Sequence, residues 1–264
     1  MNPAPSQAHD GEVKIEIRDL TMAYGSFVVM RDINARIKRG EVFIIMGGSG
    51  CGKSTLIRHL IGLRAPASGD ILYGGKSFVQ ASDDERLATV RKIGMLFQSG
   101  ALWSSLTLAE NVSLPLQEYT ELGPADIDEI VRLKLALVGL KGFEDYYPAE
   151  ISGGMRKRAG LARAMALDPE MLFFDEPSAG LDPISSQRLD ELILQLRDSL
   201  GATIVVVTHE LASIFAIGDD SIFLDVDTRR VTAQGNPREL RDHSDVPTVR
   251  EFLNRGVVPA SART

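Results

Sequence analysis

The chain has 264 residues, 44% of them hydrophobic and 25% charged, which is typical of a soluble globular protein with a substantial core. Its formal net charge of −7 argues against a free-standing nucleic-acid-binding protein, because such proteins usually carry a basic excess. Cys51 is the only cysteine, which excludes an intramolecular disulfide and suits a reducing compartment.

The first segment, residues 1–11, has neither the basic nor the apolar region of a signal peptide, and we expect a disordered lead-in there. No later window approaches the roughly 18 uncharged apolar residues of a membrane-spanning helix. A role at a membrane would therefore require a membrane partner.

The first third of the chain is predicted to be rich in strands. β-Branched residues and alternating hydrophobicity indicate strands at 13–20 and 27–37. The apolar run 42–46 leads into a glycine loop and then into a helix at 55–63. Further short strands are expected at 70–73 and 93–97.

Helical patterns dominate from 99 to 168, and strands return after them. The predicted helices of this segment are 106–116, 124–138 and 153–167. Continuous apolar runs at 171–175 and 203–209 are typical of buried parallel strands, with a helix at 184–200 between them. Late strands are expected at 221–224 and 230–233, followed by two short helices and a loose end.

This layout predicts an α/β fold in which a parallel-sheet core is interrupted by a helical insertion. The predicted domains are a lead-in at 1–11, a core at 12–98 and 169–236, a helical subdomain at 99–168 and a tail at 237–264.

The glycine loop at 47–54 reads GGSGCGKS and matches the phosphate-binding pattern GxxxxGKS/T. A strand before it and a helix after it supply the context that the pattern requires. Glycines let backbone N–H groups surround phosphates, and the helix N-terminus adds partial positive charge. Lys53 is placed to reach the β- and γ-phosphates, and the Ser54 hydroxyl to bind Mg²⁺.

Cys51 fills a free position of this loop. We interpret it as a small space-filling residue. The helix N-terminus and Lys53 nonetheless predict a lowered pKa for its thiol, and alkylation that blocks ATP binding.

Three polar residues are expected at the carboxyl edge of the sheet, where ligands bind in such folds. Asp175 and Glu176 end one buried strand, and His209 ends the next. Asp175 suits a metal, Glu176 suits activation of a water, and His209 suits a γ-phosphate contact. A single strand ending in acid, or a single histidine, is more often structural.

A second glycine-opened helix start lies at 151–154, with the sequence ISGG. Ser152 with the amides of Gly153 and Gly154 would bind a phosphate, or Ser152 would be an ordinary N-cap. The spacing alone does not separate these two interpretations.

Taken together, these motifs resemble the nucleotide-binding subunit of an ABC transporter over about residues 12–237. The resemblance rests on Tyr24, GGSGCGKS, Gln98, ISGGM, MLFFDE, SAGLD and His209, in the order of that family. It implies a P-loop NTPase of RecA-like fold with an N-terminal antiparallel β subdomain. It also implies a head-to-tail dimer of two copies, with two ATP molecules each held by one P-loop and the opposite ISGGM segment.

The resemblance assigns a role to each matching residue. Glu176, His209 and Gln98 would be catalytic, and Mg²⁺ would be bound by Ser54, Gln98 and Asp175. The expected ATP-binding residues are Tyr24, Gly47, Gly48, Ser49, Gly50, Cys51, Gly52, Lys53, Ser54, Thr55, Ser152, Gly153, Gly154 and Asp182.

Met155 departs from the glutamine that most of the family has at this position. This variant, with the segments at 100–116 and 181–186, resembles the Mla/MCE branch of lipid-transport ATPases. That branch implies phospholipid transport, an MlaE-type permease, an MCE-domain protein and a STAS-domain regulator. It also implies a peripheral location on the cytoplasmic face of the inner membrane.

We make a separate prediction for each of three surface features. The segment Gln98–Trp103 would contact the permease, or Leu102 and Trp103 would pack between lobes. The basic cluster of Arg156, Lys157, Arg158 and Arg163 is predicted to be a solvated helix face. The apolar positions of 247–256 would pack on the chain's own core, or reach a second copy or a regulator.

Three alternative functions remain open from the sequence. They are an ABC ATPase for another substrate, a soluble ABC ATPase of DNA repair or translation, and a P-loop small-molecule kinase. The soluble ATPases generally need a coiled-coil insert or a second cassette, and neither is seen here. A kinase would not need Gln98, ISGGM and His209 together.

Overall fold

The computed structural model describes residues 11–255 and contains two sheets. The predicted lead-in, apart from Gly11, and the end of the predicted tail from 256 onwards lie outside these residues. The strands of the described part are β1 Val13–Tyr24, β2 Phe27–Lys38, β3 Val42–Gly47, β4 Ser68–Tyr73, β5 Lys76–Ser77, β6 Ile93–Leu96, β7 Met171–Asp175, β8 Thr203–Val207, β9 Asp220–Asp225 and β10 Arg230–Gln234.

The described α-helices are α1 Lys53–Leu60, α2 Asp83–Val90, α3 Leu108–Tyr119, α4 Pro124–Leu137, α5 Gly153–Ala164, α6 Pro183–Leu200, α7 Leu211–Ile217, α8 Pro237–His243 and α9 Pro247–Leu253. They lie on both sides of the larger sheet, with α1 on the side of the smaller sheet and α3 to α6 on the opposite side. No helix within 11–255 is both long and apolar enough to cross a bilayer.

The larger sheet has the order β10-β9-β3-β8-β7-β6 and is parallel except for β10. The smaller sheet, β2-β1-β4-β5, is antiparallel and formed by the N-terminal part of the chain. The predicted α/β class, with a mostly parallel core, an antiparallel N-terminal sheet and inserted helices, is confirmed.

The alternation of side chains along the central strands divides the core into two clusters. Phe43 and Ile45 of β3 face a cluster with the smaller sheet and α1. Ile44 and Met46 face the other side, where α3, α4, α5 and α6 pack. Both faces of β3 are therefore buried, which explains the uninterrupted apolar run in its sequence.

Helices α3, α4 and α5 lie between β6 and β7, inside the predicted subdomain 99–168. The limits of the four predicted domains stay a prediction. The predicted ends of several elements were wrong by a few residues. Helix α1 begins at Lys53 instead of residue 55, and α3 begins at Leu108 because Thr107 and Glu110 form a capping box.

Helix α2 was missed because none of its residues is buried, so its sequence has no apolar periodicity. A capping box of Ser82 and Glu85 begins it, and this pattern is visible in the sequence. Strand β8 ends at Val207, two residues earlier than predicted.

A buried carboxyl group links the two helices that follow β7 and β8. Ser213 Oγ on α7 donates to Asp190 Oδ2 on α6 at 2.8 Å. Asp190 Oδ1 is buried without a hydrogen-bond partner in the described part of the chain. Burial raises the pKa of Asp190 to about 6, although the hydrogen bond from Ser213 lowers it in part.

This raised pKa predicts a loss of stability with rising pH. The protonated carboxyl contributes stability fully below about pH 3.8, the ordinary value, and the contribution is lost as pH rises through about 6. We expect Asp190→Asn to reduce the difference in free energy of unfolding between pH 5 and pH 8 by about 1 kcal/mol. Urea denaturation at both pH values measures it.

Glu191→Gln is the matched control, because Glu191 is an exposed carboxylate on the same helix. It should leave the pH dependence as in the unsubstituted chain. Equal pH dependence in Asp190→Asn and the unsubstituted chain would show that Asp190 is not the titrating group.

Candidate active site

The carboxyl ends of β3, β7 and β8 meet at one edge of the larger sheet. The parallel register aligns Ile45 with Val207, and Val207 with Asp175. The residues that follow these strands line a cavity of about 630 Å³. From the predicted set, it is lined by Tyr24, Gly47, Gly48, Ser49, Gly50, Gly52, Lys53, Ser54, Thr55, Gln98, Glu176 and His209.

The glycine loop between β3 and α1 forms the floor of this cavity. Gly47 has φ 149°, and a Cβ there would lie 2.4 Å from the Leu224 carbonyl oxygen, so only glycine fits. Gly52 has φ 98° and precedes the first turn of α1. The loop and the first residues of α1 line the cavity, which is the arrangement of an anion site at a helix N-terminus.

Lys53 is buried and its Nζ donates to the carbonyl oxygens of Gly47 and Gly48, both at 3.0 Å. Its ammonium group is therefore held over the loop, where phosphates would lie. The next residue, Ser54, donates from Oγ to Asp175 Oδ1 at 2.9 Å.

A hydroxyl and a carboxylate oxygen in contact are ligands that Mg²⁺ prefers, so the pair of Ser54 and Asp175 fits this ion. Burial raises the pKa of Asp175, while Ser54 and nearby cations oppose the shift. Within residues 11–255, no group of three or more His, Cys, Asp or Glu side chains is placed to hold a metal. Mg²⁺ usually completes its coordination with waters and with phosphate oxygens of a substrate.

Glu176 follows directly after Asp175 and has an uncommon backbone conformation, with φ 50°. His209 Nδ1 lies 2.8 Å from Glu176 Oε1 and donates to it when the carboxyl is ionised. Glu176 Oε2 is buried and has no hydrogen-bond partner in the described part of the chain. One carboxylate oxygen is thus oriented by His209, and the other is bonded to nothing in the described part of the chain.

The aromatic ring of Tyr24 lies at the rim of the cavity and is 42% exposed. The Arg64 guanidinium carbon lies 3.9 Å from the ring centroid, and Arg64 also donates to the Ala23 carbonyl oxygen. One face of the ring is therefore fixed by a cation. The other face is suited to stacking on a flat base.

The second glycine-opened helix start lies at a different cavity, of about 290 Å³. Ser152 caps α5, because its Oγ accepts from the Met155 N–H at 3.2 Å. Gly153, Gly154 and Asp182 also line this cavity. Asp182 Oδ1 caps α6 through the N–H groups of residues 184 and 185. Within one copy, the two helix starts do not share a cavity.

Met155 is partly buried and packs against the core cluster on the side of α3 to α6. Its side chain is thus part of the packing, and its backbone N–H supports the Ser152 cap. This explains why an apolar residue is tolerated at that position.

The predicted lowering of the Cys51 pKa was wrong. The residue is 2% exposed, and burial raises the pKa of its thiol more than Lys53 lowers it. Its Sγ lies 2.8 Å from the position that a Gly47 Cβ would take, so it fills space beneath the loop. The interpretation of Cys51 as a small space-filling residue agrees with this burial.

We therefore expect Cys51 to resist thiol reagents in the native protein at neutral pH. Both the low exposure and the raised pKa reduce the reactive thiolate. Labelling by Ellman's reagent should be at least about tenfold slower than in urea-unfolded protein. Equal rates in the two states would contradict the burial.

The basic cluster on α5 is not the predicted solvated face. Arg163 donates to the carbonyl oxygens of Gly100 and Ala101 at 3.1 and 2.7 Å, and Arg158 to that of Val138 at 3.1 Å. The others also donate to carbonyl oxygens: Arg156 to Pro148 and Ile151, and Lys157 to Glu176 and Ala179. The prediction failed because sequence patterns do not show where loop carbonyls lie.

Two cavity residues of the C-terminal segment were missed by the sequence analysis. Phe252 and Arg255 line the larger cavity. Phe252 is buried against Phe223, with ring centroids 5.3 Å apart, and Val249 and Leu253 are buried beside it. The described part of the tail thus packs on the chain's own core. Its apolar spacing predicts burial, but nothing in the sequence relates Arg255 to the glycine loop.

Comparisons of the sequence with a family model and with known proteins point to the same family. The family model described as ABC transporter matches residues 30–179. MlaF of Escherichia coli K12, an "intermembrane phospholipid transport system ATP-binding protein", is 41% identical over 241 residues, which cover 91% of this chain and 88% of MlaF. The "probable ribonucleotide transport ATP-binding protein mkl" of Mycobacterium tuberculosis H37Rv is 43% identical over 242 residues, 92% of this chain and 67% of mkl.

Solved structures agree with this result. The dimer of the ATP-binding cassette MJ0796 in a post-hydrolysis state with ADP and Pi matches with a TM-score of 0.77 and 30% identity, covering 84% of this chain and 98% of that one. The structure of cbiO1 from Clostridium perfringens, part of the ABC transporter complex cbiONQ, matches with a TM-score of 0.79 and 29% identity, covering 93% and 96%.

Proposed function

Since this chain belongs to the ABC transporter family of ATP-binding proteins, we propose that it powers the transport of phospholipid as the ATPase subunit of a membrane complex. The observation that carries the phospholipid assignment is the similarity to MlaF over 88% of the length of that protein. The cavity at the sheet edge supports the ATPase activity, because it is lined by an anion-binding loop, by the proposed general base and by Ser54, which is bonded to Asp175.

In this proposal, ATP binds with its phosphates on the glycine loop and Lys53, and with its adenine on the free face of Tyr24. Ser54, Asp175 and Gln98 would hold Mg²⁺, which neutralises charge on the β- and γ-phosphates when bound. Gln98 is exposed at the cavity wall, within reach of a ligand there.

Glu176 is proposed as the general base. Its unpartnered Oε2 accepts a proton from the attacking water as the oxygen of that water bonds to the γ-phosphorus. The bond from the γ-phosphorus to the bridging oxygen breaks, and ADP leaves with that oxygen. His209 holds Glu176 through Oε1. We propose that its other ring nitrogen contacts the γ-phosphate, to which only an N–H on that nitrogen can donate.

The separation of the two cavities supports a site shared between two copies. Each copy would supply the larger cavity to one ATP and the N-terminus of α5, with Ser152, Gly153 and Gly154, to the ATP of its partner. MJ0796 forms a dimer in its solved structure, which makes this arrangement available to a related chain. Asp182 would then act at the interface by holding the start of α6.

The segment Gln98–Trp103 is proposed as the contact with an integral-membrane permease. Trp103 is 63% exposed, while its backbone N–H and carbonyl are both bonded to the buried Asn111 side chain. Leu102 packs against the core, which agrees with the alternative prediction that this residue has a packing role. A rigid backbone that presents an exposed aromatic ring is suited to binding a partner.

We also propose an MCE-domain protein and a STAS-domain regulator as further members of the complex, by analogy with the MlaF-like branch. The chain would then lie on the cytoplasmic face of the inner membrane, bound through the permease. These partners follow from the family resemblance and the similarity to MlaF.

A specific observation favours a second cargo, since mkl is named for ribonucleotide transport. The two candidate cargoes are distinguished by mass spectrometry. The complex is purified from native membranes through a tag on this chain, and the molecules that it retains are identified. We expect phospholipid enriched over a mock purification, and ATPase activity that rises with added phospholipid but not with ribonucleotides. Retention and stimulation by ribonucleotides alone would overturn the phospholipid assignment.

A further inference from the structure

A buried lysine of α5 contacts the backbone of the proposed general base. Lys157 is 7% exposed, and its Nζ donates to the carbonyl oxygen of Glu176 at 3.2 Å and to that of Ala179 at 2.5 Å. Burying an ammonium group is costly unless it is fully hydrogen-bonded, so this placement has to be supported by the two carbonyls. Desolvation lowers the pKa of Lys157, in keeping with this environment.

The two acceptors are the ends of one turn. Ala179 N–H donates to the Glu176 carbonyl at 3.3 Å, and Leu181 N–H donates to the Ser178 carbonyl at 3.0 Å. Lys157 therefore closes the turn from the side of α5. The same turn continues to Asp182 at the start of α6.

Glu176 needs such support because its backbone is in the left-handed region, which is unfavourable for a residue with a Cβ. Its N–H donates to the Val207 carbonyl at 2.8 Å, and its carbonyl accepts from Lys157. Both backbone groups of Glu176 are thus held, one by the sheet and the other by α5. These two contacts hold the backbone from which the carboxylate projects, and His209 holds one carboxylate oxygen.

We propose that Lys157 is a positioning residue for ATP hydrolysis, which couples the helix that begins at Ser152 to the backbone of Glu176. The helix starts at the smaller cavity, and Lys157 lies one turn further along it. A shift of α5 when its N-terminus binds the phosphate of the partner's ATP moves the Lys157 ammonium relative to Glu176. The general base of one copy then responds to the nucleotide held by the other. The inference rests on the proposed function.

Lys157→Met tests this, since methionine keeps the apolar stem and removes the donors. We expect kcat to fall roughly 10- to 100-fold, the cost of misplacing a reacting group by about 1 Å, with the KM for ATP changed less than about twofold. Lys157→Gln keeps donor N–H groups without the charge and should recover at least several-fold of the loss.

Lys134→Met is the matched control, because Lys134 is also buried and bonded, but to Asp168 in the helical insertion. It should lower stability to urea to a similar extent and leave kcat within about twofold. A Lys157→Met variant with unchanged kcat, or a Lys134→Met variant with an equal loss of kcat, would overturn the inference.

Retention of ATP distinguishes a positioning role of Lys157 from a structural role. In a Glu176→Gln background, Lys157→Met should still retain ATP, because the base is already removed and the phosphate contacts are intact. Loss of retained ATP only when Lys157 is changed would show a structural role and refute the positioning role. Failure of the unsubstituted chain to hydrolyse ATP would instead refute the proposed function.

Discussion

A Glu176→Gln variant is expected to bind ATP as the unsubstituted chain does and to hydrolyse it roughly 10²- to 10⁴-fold more slowly. The substitution keeps the size and the hydrogen bond to His209 but removes the basic oxygen at the Oε2 position. The substitution leaves the residues that bind the phosphates and both helix starts unchanged. Two copies should therefore stay closed around intact ATP.

Size-exclusion chromatography after incubation with ATP, followed by extraction of the nucleotide, measures this result. We expect a dimer that retains ATP instead of ADP. Glu239→Gln, an exposed carboxylate on α8, is the control and should turn over normally. Normal turnover in Glu176→Gln would remove Glu176 from the role of general base.

A mixture of two inactive variants is expected to recover one functional site per dimer. Lys53→Ala removes the phosphate contact in the larger cavity, and Gly154→Asp places a negative charge at the start of α5. If each site is shared, a mixed dimer combines an intact Lys53 from one copy with an intact Gly154 from the other. Its second site contains both changes and is inactive.

The experiment is done in the Glu176→Gln background, so that retained ATP can be counted. Purified mixed dimers should retain one ATP, and either variant alone should retain none. The Gly154→Asp chain should fold, because the nearest atom to a Cβ there is Leu181 Cδ2 at 3.6 Å, an ordinary contact. No retention in any mixed dimer would show that the site lies within a single copy.

Much of the core was predictable because its strands are buried on both faces. Apolar runs such as 171–175 identify these strands without any knowledge of their neighbours. The glycine loop was predictable for a similar reason, since its backbone conformation requires glycine at positions such as Gly47. These features depend on short segments, which a sequence shows directly.

The parts that failed depend on contacts between distant segments. The charge of Lys157 and of its neighbours predicts exposure to solvent. The carbonyl oxygens to which Lys157 donates lie about twenty positions further along the chain, so the sequence does not reveal them. Cys51 lies beside Lys53 in sequence, and the opposing effect of burial comes from the packing around the loop. Arg255 reaches the larger cavity only because α9 packs on Phe223.

The chain carries a single tryptophan, and it is the exposed ring of Trp103. Its tryptophan fluorescence therefore originates from one place, the surface proposed to meet the permease. Emission from the isolated subunit should be that of a solvated indole, and assembly with the membrane partner should shift it to shorter wavelength. The protein thus contains its own optical probe of docking, with no label to be introduced.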